Sequence, residues 1–321
     1  MLTRRSMMLA SIAAGVTMSS RTVLAKAAQP ATPVNFDIPA GACDCHTHIH
    51  PDPAKFPFFA GRVYTPELAS PEEMSALHKA LKMERVVIVT PSIYGPDNSA
   101  TLFGMAARGA TARGVAVIDD KTSEADLDAM GKAGIRGIRL NLATGGVNDP
   151  TVGRPRFSAA VERIKARGWH VQLFTSLAMI TAIKDLVLAS PVPVVFDHFG
   201  GAQAALGVGQ PGFADLVELV KSGKAHVKIS GAYRASKLGP DFADATPLAQ
   251  ALIAANADRI VWGTDWPHPD SVTPPGKQIS DVTPLFQIDD GLLLNQLPVW
   301  TSDAGVRKKI LVDNPARLYG F

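Results

Sequence analysis

Short apolar, β-branched segments alternate along the chain with longer helix-like segments. The predicted strands are Cys43–Ile49, Arg85–Ile93, Gly114–Asp119, Gly134–Leu142, His170–Ser176, Pro193–Gly200, His226–Tyr233 and Arg259–His268. Strands and helices that alternate eight times within one domain are typical of a closed (β/α)8 barrel. An open, doubly wound parallel sheet with extra strands is the alternative. We therefore predict an α/β fold, a single-domain (β/α)8 TIM barrel over residues 41–321.

Local signals at the helix ends support this alternation. The segments Ser70–Glu73 and Ser123–Asp126 each place a serine N-cap three residues before an acid, which is typical of a helix start. Glycines expected to end helices before the next strand are Gly114, Gly134, Gly168 and Gly223. The proline-rich stretch Asp270–Thr301 has no clear period and is predicted as a long loop before a last helix over Asp303–Val312.

A leader is predicted to precede the barrel. Arg4 and Arg5 are followed by an uncharged, mostly apolar stretch and then by small residues around Ala25–Ala27, which fits an A-x-A cleavage site. This pattern resembles a bacterial twin-arginine export signal over residues 1–27, followed by a proline-rich linker over residues 28–40. We expect export to the periplasm and no membrane association beyond this signal.

Charge and cysteine content narrow the class of protein. The chain has 32 Lys and Arg against 29 Asp and Glu, but the leader holds four of the basic residues and no acid. The rest of the chain is nearly neutral, so it lacks the excess of positive charge that is typical of nucleic-acid-binding proteins. The two cysteines, Cys43 and Cys45, are too few and too close for a disulfide scaffold. We expect a protein held together by packing, whose assembly into homo-oligomers the sequence leaves open.

Polar side chains cluster at three predicted strand ends. His46 and His48 are two residues apart on the first strand, so they should point the same way, into the barrel, with Cys43 and Cys45 on the opposite face under the helices. The sixth strand ends at His198, and Asp265 follows the eighth. Because the carboxyl ends of barrel strands meet at one face, we expect these side chains to converge there.

Together these stretches carry a family resemblance. The sequence C-D-C-H-T-H, the later stretch V-F-D-H-F-G-G and the stretch V-W-G-T-D-W-P-H-P are similar to the amidohydrolase superfamily, and F-P-F-F-A-G-R-V-Y-T-P strengthens the match. The likeness is greatest to the branch that contains 2-pyrone-4,6-dicarboxylate lactonase, D-galactarolactone isomerase and 4-sulfomuconolactone hydrolase. It extends over most of the chain after Gly41.

The resemblance implies catalytic roles. It makes Asp265 the general base for water and sets His46, His48 and His198 against the scissile carbonyl oxygen. On chemical grounds, three imidazoles polarise a carbonyl directly when protonated, or through a divalent cation when neutral. His46, His48, His198 and Asp265 could together hold one metal, zinc being the candidate. Metal dependence stays open, because the fifth strand offers Gln172 rather than a histidine and the lactonase branch works without a required metal.

Further residues point to an anionic substrate. An arginine at a strand end can bind a carboxylate through two parallel N–H···O hydrogen bonds. By resemblance and position, the substrate-binding candidates are Arg139, Arg234, Tyr64, Ser92, Asn98 and Gln172. The segment Leu142–Gly146 lacks the additional basic residue of the lactonases, and Phe174 stands where a tyrosine is expected. A mono-anionic sugar-acid lactone or a muconolactone-like ring therefore fits better than a dicarboxylate.

The sequence therefore predicts a hydrolase that opens the lactone of a small anionic substrate. Asp265 activates water, and the three imidazoles polarise the carbonyl with or without a divalent metal. Three alternatives use the same residues: a sugar-acid lactone isomerase, a zinc-dependent decarboxylase of the same superfamily, and a non-catalytic periplasmic binder of sugar acids. A binder would not need Asp265.

Overall fold

The computed structural model describes residues 27–144 and 146–321, so the predicted leader lies outside it except for its last residue. Eight parallel strands form one sheet in chain order. They are β1 Cys43–Thr47, β2 Arg85–Val89, β3 Ala112–Ala116, β4 Ile135–Asn141, β5 His170–Phe174, β6 Val194–Phe196, β7 Ala225–Ser230 and β8 Ile260–Gly263. The predicted strands are all present, most of them shorter than expected.

The sheet closes on itself just beyond the last residue of β8. The Asp265 amide donates a hydrogen bond to the His46 carbonyl, and the His48 amide donates one to the Trp266 carbonyl, both at 2.8 Å. Thr47 and Trp266 form a parallel bridge between these two bonds. The fold is therefore a (β/α)8 barrel, not an open sheet.

Helices follow each strand and cover the outside of the barrel. They are α1 Pro71–Leu81, α2 Ser99–Arg108, α3 Glu124–Ala133, α4 Pro150–Ile164, α5 Leu177–Ala189, α6 Phe213–Lys221 and α7 Thr246–Asn256. Ser70 and Ser123 form the capping boxes that the sequence predicts for α1 and α3. Val86 and Ile88 of β2 belong to the same apolar cluster as Met74 of α1, which shows how a strand's outer face is covered.

The chain after β8 is more ordered than predicted. The expected loop Asp270–Thr301 contains the helices α8 Asp290–Asn295 and α9 Leu297–Trp300. The expected last helix is α10 Ala304–Lys308, continued by a π-helical turn and by α11 Asn314–Tyr319. A helix as short as Leu297–Trp300 spans only about one turn, so its apolar residues cannot show a helical period. The sequence pattern therefore missed these helices.

Two loops cross the carboxyl end of the barrel and pair there. Thr65–Pro66, between β1 and α1, forms a two-residue parallel ladder with Val282–Thr283, between β8 and α8. Residues 28–40 run along the body without helix or strand, and the Asp289 carboxylate accepts hydrogen bonds from the Ala31 and Thr32 amides. Among the described residues, every helix is too short or too polar to cross a membrane.

The barrel interior corrects one expectation. Cys43 and Cys45 pack inside the barrel with Val87, Val261 and Tyr319, not under the helices. The pairing register of β1 shifts between Asp44 and Thr47, so strict alternation does not hold between the cysteines and the histidines. Both kinds of side chain therefore face inward, the cysteines below and the histidines nearer the open end.

Candidate active site

Three imidazoles and one carboxylate meet at the carboxyl end of the barrel. Asp265 Oδ1 lies 3.5 Å from His46 Nε2, 3.5 Å from His48 Nε2 and 3.8 Å from His198 Nε2. All four residues are buried, the most exposed being His48 at 3%. The structure thus brings together the four residues that the sequence singled out as the catalytic group.

Backbone geometry fixes this convergence. Asp265 and His198 adopt φ values of 66° and 49°, a conformation that costs a side-chain-bearing residue energy and that recurs at functional sites. Asp44 accepts hydrogen bonds from the His46 and Thr264 amides through Oδ1, and from the Thr264 hydroxyl through Oδ2. This buried carboxylate, which the sequence analysis missed, therefore locks β1 to the turn that presents Asp265.

Gly231 provides the space in which the carboxylate and one imidazole meet. Its φ is 55°, and a Cβ atom there would lie 3.1 Å from both Asp265 Oδ2 and His198 Nδ1. Contacts that short are rare, and the backbone conformation disfavours a side chain as well. Gly231 begins a one-turn helix, Ala232–Ala235, that carries Tyr233 and Arg234.

The two oxygens of Asp265 have different surroundings. Oδ2 accepts hydrogen bonds from the Tyr233 hydroxyl, at 2.7 Å, and from Arg234 Nε. Oδ1 accepts none from the described residues and faces the imidazoles. Burial acts to raise the pKa of Asp265, and the adjacent Arg234 guanidinium acts most strongly in the opposite direction, so that this pKa lies well below its usual range. Asp265 is therefore an anion with one free oxygen.

The outer nitrogens of two imidazoles face oxygen atoms of neighbouring strands. His48 Nδ1 lies 2.7 Å from the Val89 carbonyl, and His198 Nδ1 lies 3.0 Å from Ser230 Oγ and 3.4 Å from the Ser230 carbonyl. Burial lowers the pKa of both rings, that of His198 to about 4, so each is neutral. His48 donates from Nδ1, because a carbonyl oxygen can only accept, and its Nε2 lone pair therefore points toward the Asp265 anion.

This donor set fits a divalent metal ion. An imidazole lone pair and a free carboxylate oxygen repel each other unless a cation or a water proton lies between them. Metal ligands at bond lengths near 2.1 Å lie about 3.4 Å apart in a tetrahedron, close to the 3.5 Å between Asp265 Oδ1 and the Nε2 atoms of His46 and His48. His46, His48 and Asp265 meet the spacing needed to hold one ion, and so do His46, Asp197 and His198.

A second polar layer lies directly beneath the imidazoles. Lys228 Nζ lies 3.2 Å from His46 Nδ1, donates to Gln172 Oε1 at 2.7 Å and lies 3.6 Å from Asp197 Oδ1. Asp197 Oδ2 accepts hydrogen bonds from Gln172 Nε2 and Arg139 Nε. The sequence analysis missed Lys228 and Asp197. A lysine inside the apolar strand β7 was the available signal.

A narrow cavity opens above Asp265 between the strand ends. Its walls include His48, Tyr64, Ser92, Asn141, Phe174 and the predicted arginines Arg139 and Arg234. The Arg139 guanidinium stacks on Phe174, 5.4 Å from the ring centre, and neither of its Nη atoms has a partner among the described residues. Burial raises the pKa of Tyr64, whose hydroxyl is beside Ser92. These groups form a ready site for an anion.

Two predicted substrate ligands lie elsewhere. Asn98 accepts from the Thr90 hydroxyl and the Val117 amide and donates to the Pro96 and Val117 carbonyls, so its amide is fully used within the fold. Gln172 is fully buried between Lys228 and Asp197, beneath the imidazoles and away from the cavity walls. The structure brings neither residue to the cavity.

A larger cavity of about 560 Å³ adjoins the narrow one. Ser92, Arg139 and Asn141 line both cavities, and Leu140 and Ala160 contribute apolar wall to the larger one. The narrow cavity therefore has a neighbouring space, on the α4 side of the barrel, into which a substrate substituent can extend.

Comparison with known proteins supports the same grouping. The family model described as amidohydrolase matches residues 43–321. The chain is 34% identical to a 2-pyrone-4,6-dicarboxylate hydrolase of Comamonas testosteroni over 301 residues, 91% of this chain and 94% of that protein. It is 34% identical to a 4-sulfomuconolactone hydrolase of Hydrogenophaga intermedia over 290 residues, 90% of this chain and 91% of that protein.

Solved structures agree with the fold. A crystal structure of a putative 2-pyrone-4,6-dicarboxylic acid hydrolase from Pseudomonas putida superposes with a TM-score of 0.72 at 30% sequence identity, covering 88% of this chain and 98% of that one. The match to the family model spans the whole barrel, including every residue of the imidazole–carboxylate cluster. The chain therefore belongs to the amidohydrolase family.

Proposed function

We propose that this amidohydrolase opens the cyclic ester of a small anionic lactone by adding water to its carbonyl. The observation that carries the proposal is the convergence of three imidazole Nε2 atoms on the free oxygen of Asp265, 3.5 to 3.8 Å away. The cluster lies at the end of the barrel where this architecture keeps its chemistry. The relatives named as lactone hydrolases support the same reaction.

Asp265 Oδ1 has the position of a general base. As water attacks the lactone carbonyl, a C–O bond forms and the water proton passes to Oδ1. The ring C–O bond then breaks, the proton goes to the departing alkoxide, and a hydroxy-carboxylate leaves. Because a carboxylate is far too weak a base to deprotonate water fully, proton transfer must accompany the attack, not precede it.

The carbonyl oxygen gains negative charge during the attack and needs an electrophile. A divalent metal, for which zinc is our candidate, would supply this polarisation when held by His46, His48, Asp265 and, in the sequence-based assignment, His198. Without such an ion, a neutral imidazole serves only through a ring N–H. The protein's own contribution is to hold these rings rigidly and away from bulk water.

Arg139 is the proposed anchor for the substrate carboxylate. Its two Nη atoms have no partner among the described residues, and its Nε is fixed by Asp197. Arg234, in contrast, is partly committed to Asp265 and to the Pro269 carbonyl. One open guanidinium favours a lactone with one carboxylate over a dicarboxylate. The adjoining cavity leaves room for ring substituents.

The test is to offer the protein a panel of acidic lactones and to measure hydrolysis from the proton that is released as each ring opens. Matched neutral lactones, in which an amide replaces the carboxylate, serve as controls, and zinc content is measured on the same protein. The proposal predicts turnover of some anionic lactones and little of their neutral counterparts. Binding of anionic lactones without turnover would favour the binder, and loss of carbon dioxide would favour the decarboxylase.

We also propose that the enzyme acts in the periplasm. Support comes from Arg4 and Arg5 followed by the uncharged apolar stretch. Replacing both arginines with lysine should retain the protein in the cytoplasmic fraction, while the unchanged chain appears in the periplasmic fraction. Equal distribution of the two proteins would contradict this assignment.

A further inference from the structure

The larger cavity opens directly off the candidate active site. Its volume of about 560 Å³ is within the range of sites that bind whole small molecules. Ser92, Arg139 and Asn141 line both this space and the narrow cavity, so the two spaces meet at these side chains. A molecule held by Arg139 beside the catalytic group can therefore reach into the larger cavity.

The walls of the larger cavity are mainly apolar. Ile138 and Leu142 are buried beside it, whereas Val117, Ile118 and Leu140 are only partly buried. Protein interiors are close-packed, so apolar side chains are normally covered by other side chains. Concave open space against them is typical of a ligand site, in which an apolar group of the ligand completes the packing.

Helix α4 leaves this space open because it presents small side chains to it. Ala159 and Ala160 border the cavity, while Phe157 and Val161 of the same helix are buried in the apolar core. The larger side chains thus hold α4 against the barrel, and the two alanines leave the gap beside it. The gap is therefore encoded in the sequence of α4.

Three polar side chains of the lining are already engaged within the fold. The Thr90 hydroxyl donates to Asn98 Oδ1. The Asp119 carboxylate accepts from the Thr122 amide and hydroxyl, and Arg163 donates to the Thr122 carbonyl. A hydroxyl or charged group of a ligand along these walls would lose its water partners and gain few in return, which costs free energy.

The outer end of the cavity does not select a charge. Arg156 and Asp120 both line it and are both exposed, so one cation and one anion lie at the side open to solvent. Opposite charges of this kind favour neither an anionic nor a cationic ligand end. The anchor for an anion is instead Arg139, at the inner end.

We propose that the larger cavity is a substrate subsite for an uncharged, apolar substituent, an alkyl or aryl arm carried on the ring of the anionic lactone. Arg139 holds the carboxylate of the ring, and the arm extends along Ile118 and Leu140 toward the open end beside α4. The inference rests on the proposed function for the identity of the ring, but not for the chemistry of the arm.

Binding of acids that cannot be hydrolysed tests the arm without any turnover. The probes are tetrahydrofuran carboxylic acids, in which a methylene replaces the lactone carbonyl, with hydrogen, butyl or trihydroxybutyl on each free ring carbon in turn. Because each buried methylene contributes about fourfold, titration calorimetry should show one butyl isomer that binds about 10-fold or more tighter than the unsubstituted acid. The trihydroxybutyl arm should bring no gain. A smaller gain for every butyl isomer, or a preference for the hydroxylated arm, would overturn the inference.

Two substitutions on α4 locate the arm. Ala160→Leu fills part of the cavity and should remove most of the gain in affinity that the butyl arm brings. Ser158→Leu adds the same side chain at an exposed position of the same helix, outside the cavity, and should keep the parental gain. An equal gain in the two variants would contradict this placement of the arm. If Ala160→Leu does not fold, Ile118→Ser replaces an apolar wall residue and should also lower the gain.

The same arms on hydrolysable lactones separate this inference from the proposed function. The butyl lactone should be opened with a kcat/KM that rises in parallel with the affinity of the butyl acid. Tighter binding of the butyl acid without hydrolysis of any lactone would reject the proposed function and support the subsite. Hydrolysis of unsubstituted lactones with no gain from any arm would support the proposed function and reject the subsite.

Discussion

Arg234 donates from Nε to Oδ2 of Asp265, the carboxylate oxygen that turns away from the imidazoles. Tyr233 donates to the same oxygen, so two neighbouring residues of one short helix hold the carboxylate from behind. His268 stacks edge-on against Tyr233, and its Nε2 lies 3.1 Å from the buried Asp290. Asp265 is thereby fixed in position, with its other oxygen left free for chemistry.

Replacing Asp265 with asparagine should lower kcat for lactone opening by about 100-fold or more, with a small change in KM. The amide keeps the shape of the side chain but cannot accept the water proton as a carboxylate does. Steady-state kinetics on the best lactone of the panel measures the effect. Full activity in Asp265→Asn would show that another group is the base.

The two arginines of the cavity should respond differently to substitution. Arg139→Met removes the open guanidinium, so it should raise KM for anionic lactones by about 10- to 100-fold, as expected for a lost charged hydrogen bond, and leave neutral lactones unaffected. Arg234→Met also removes a partner of Asp265, so it should lower kcat for both kinds of substrate. Identical effects of the two variants on both parameters would contradict these separate roles.

Replacing Gly231 should lower activity by more than the loss of stability alone would explain. Gly231→Ala places a Cβ atom 3.1 Å from Asp265 Oδ2 and from His198 Nδ1. Gly276→Ala is the matched control, because its φ of 78° carries similar backbone strain with no heavy atom within 4 Å. Each variant should lose about 1 kcal/mol of stability.

Only Gly231→Ala should also lower kcat, by about 10-fold or more, because displacement of catalytic groups by fractions of an ångström is costly. Urea unfolding and steady-state kinetics on both variants provide the comparison. An active Gly231→Ala enzyme would mean that the close approach at Gly231 does not position the cluster.

Ionisation of Asp290 should lower the free energy of unfolding as the pH rises from about 4 to 6. Burial raises the pKa of Asp290 from 3.8 to about 6, so the folded carboxyl keeps a proton that the unfolded chain has released. Stability is therefore favoured below the unfolded pKa and lost as the pH rises through the folded one. Two pKa units correspond to about 3 kcal/mol at most.

Asp290→Asn should flatten this slope in urea unfolding measured across that pH range. Asp120→Asn, at an exposed position, is the control and should retain the parental slope. Parallel stability curves for Asp290→Asn and the parent protein would contradict the assignment.

The sequence was sufficient to predict the barrel and the main residues of the cluster. Eight apolar runs separated by capped helices define the fold, and the histidines and Asp265 follow from their places at strand ends. Family resemblance added the roles, which spacing alone could not assign. The positions of Arg139 and Tyr64 at the cavity agree with the same reasoning.

The parts that could not be predicted depend on contacts between distant strands. Lys228 and Asp197 become neighbours of His46 only when β6 and β7 close against β1, and no local pattern records that distance. The inward position of Cys45 depends on a register shift in β1, which breaks the period-two rule. Asn98 was predicted to contact substrate from its place after a strand, but its side chain binds the Pro96 and Val117 backbone just before α2.

Isotope transfer from H2¹⁸O is the most direct test of the claim that Asp265 drives addition of water to a lactone carbonyl. Mass spectrometry of the product should show one ¹⁸O atom in the new carboxylate, formed by the parent enzyme at a rate about 100-fold or more above that of Asp265→Asn. A product of unchanged mass would instead indicate isomerisation and contradict the account, as would equal ¹⁸O incorporation by the two proteins.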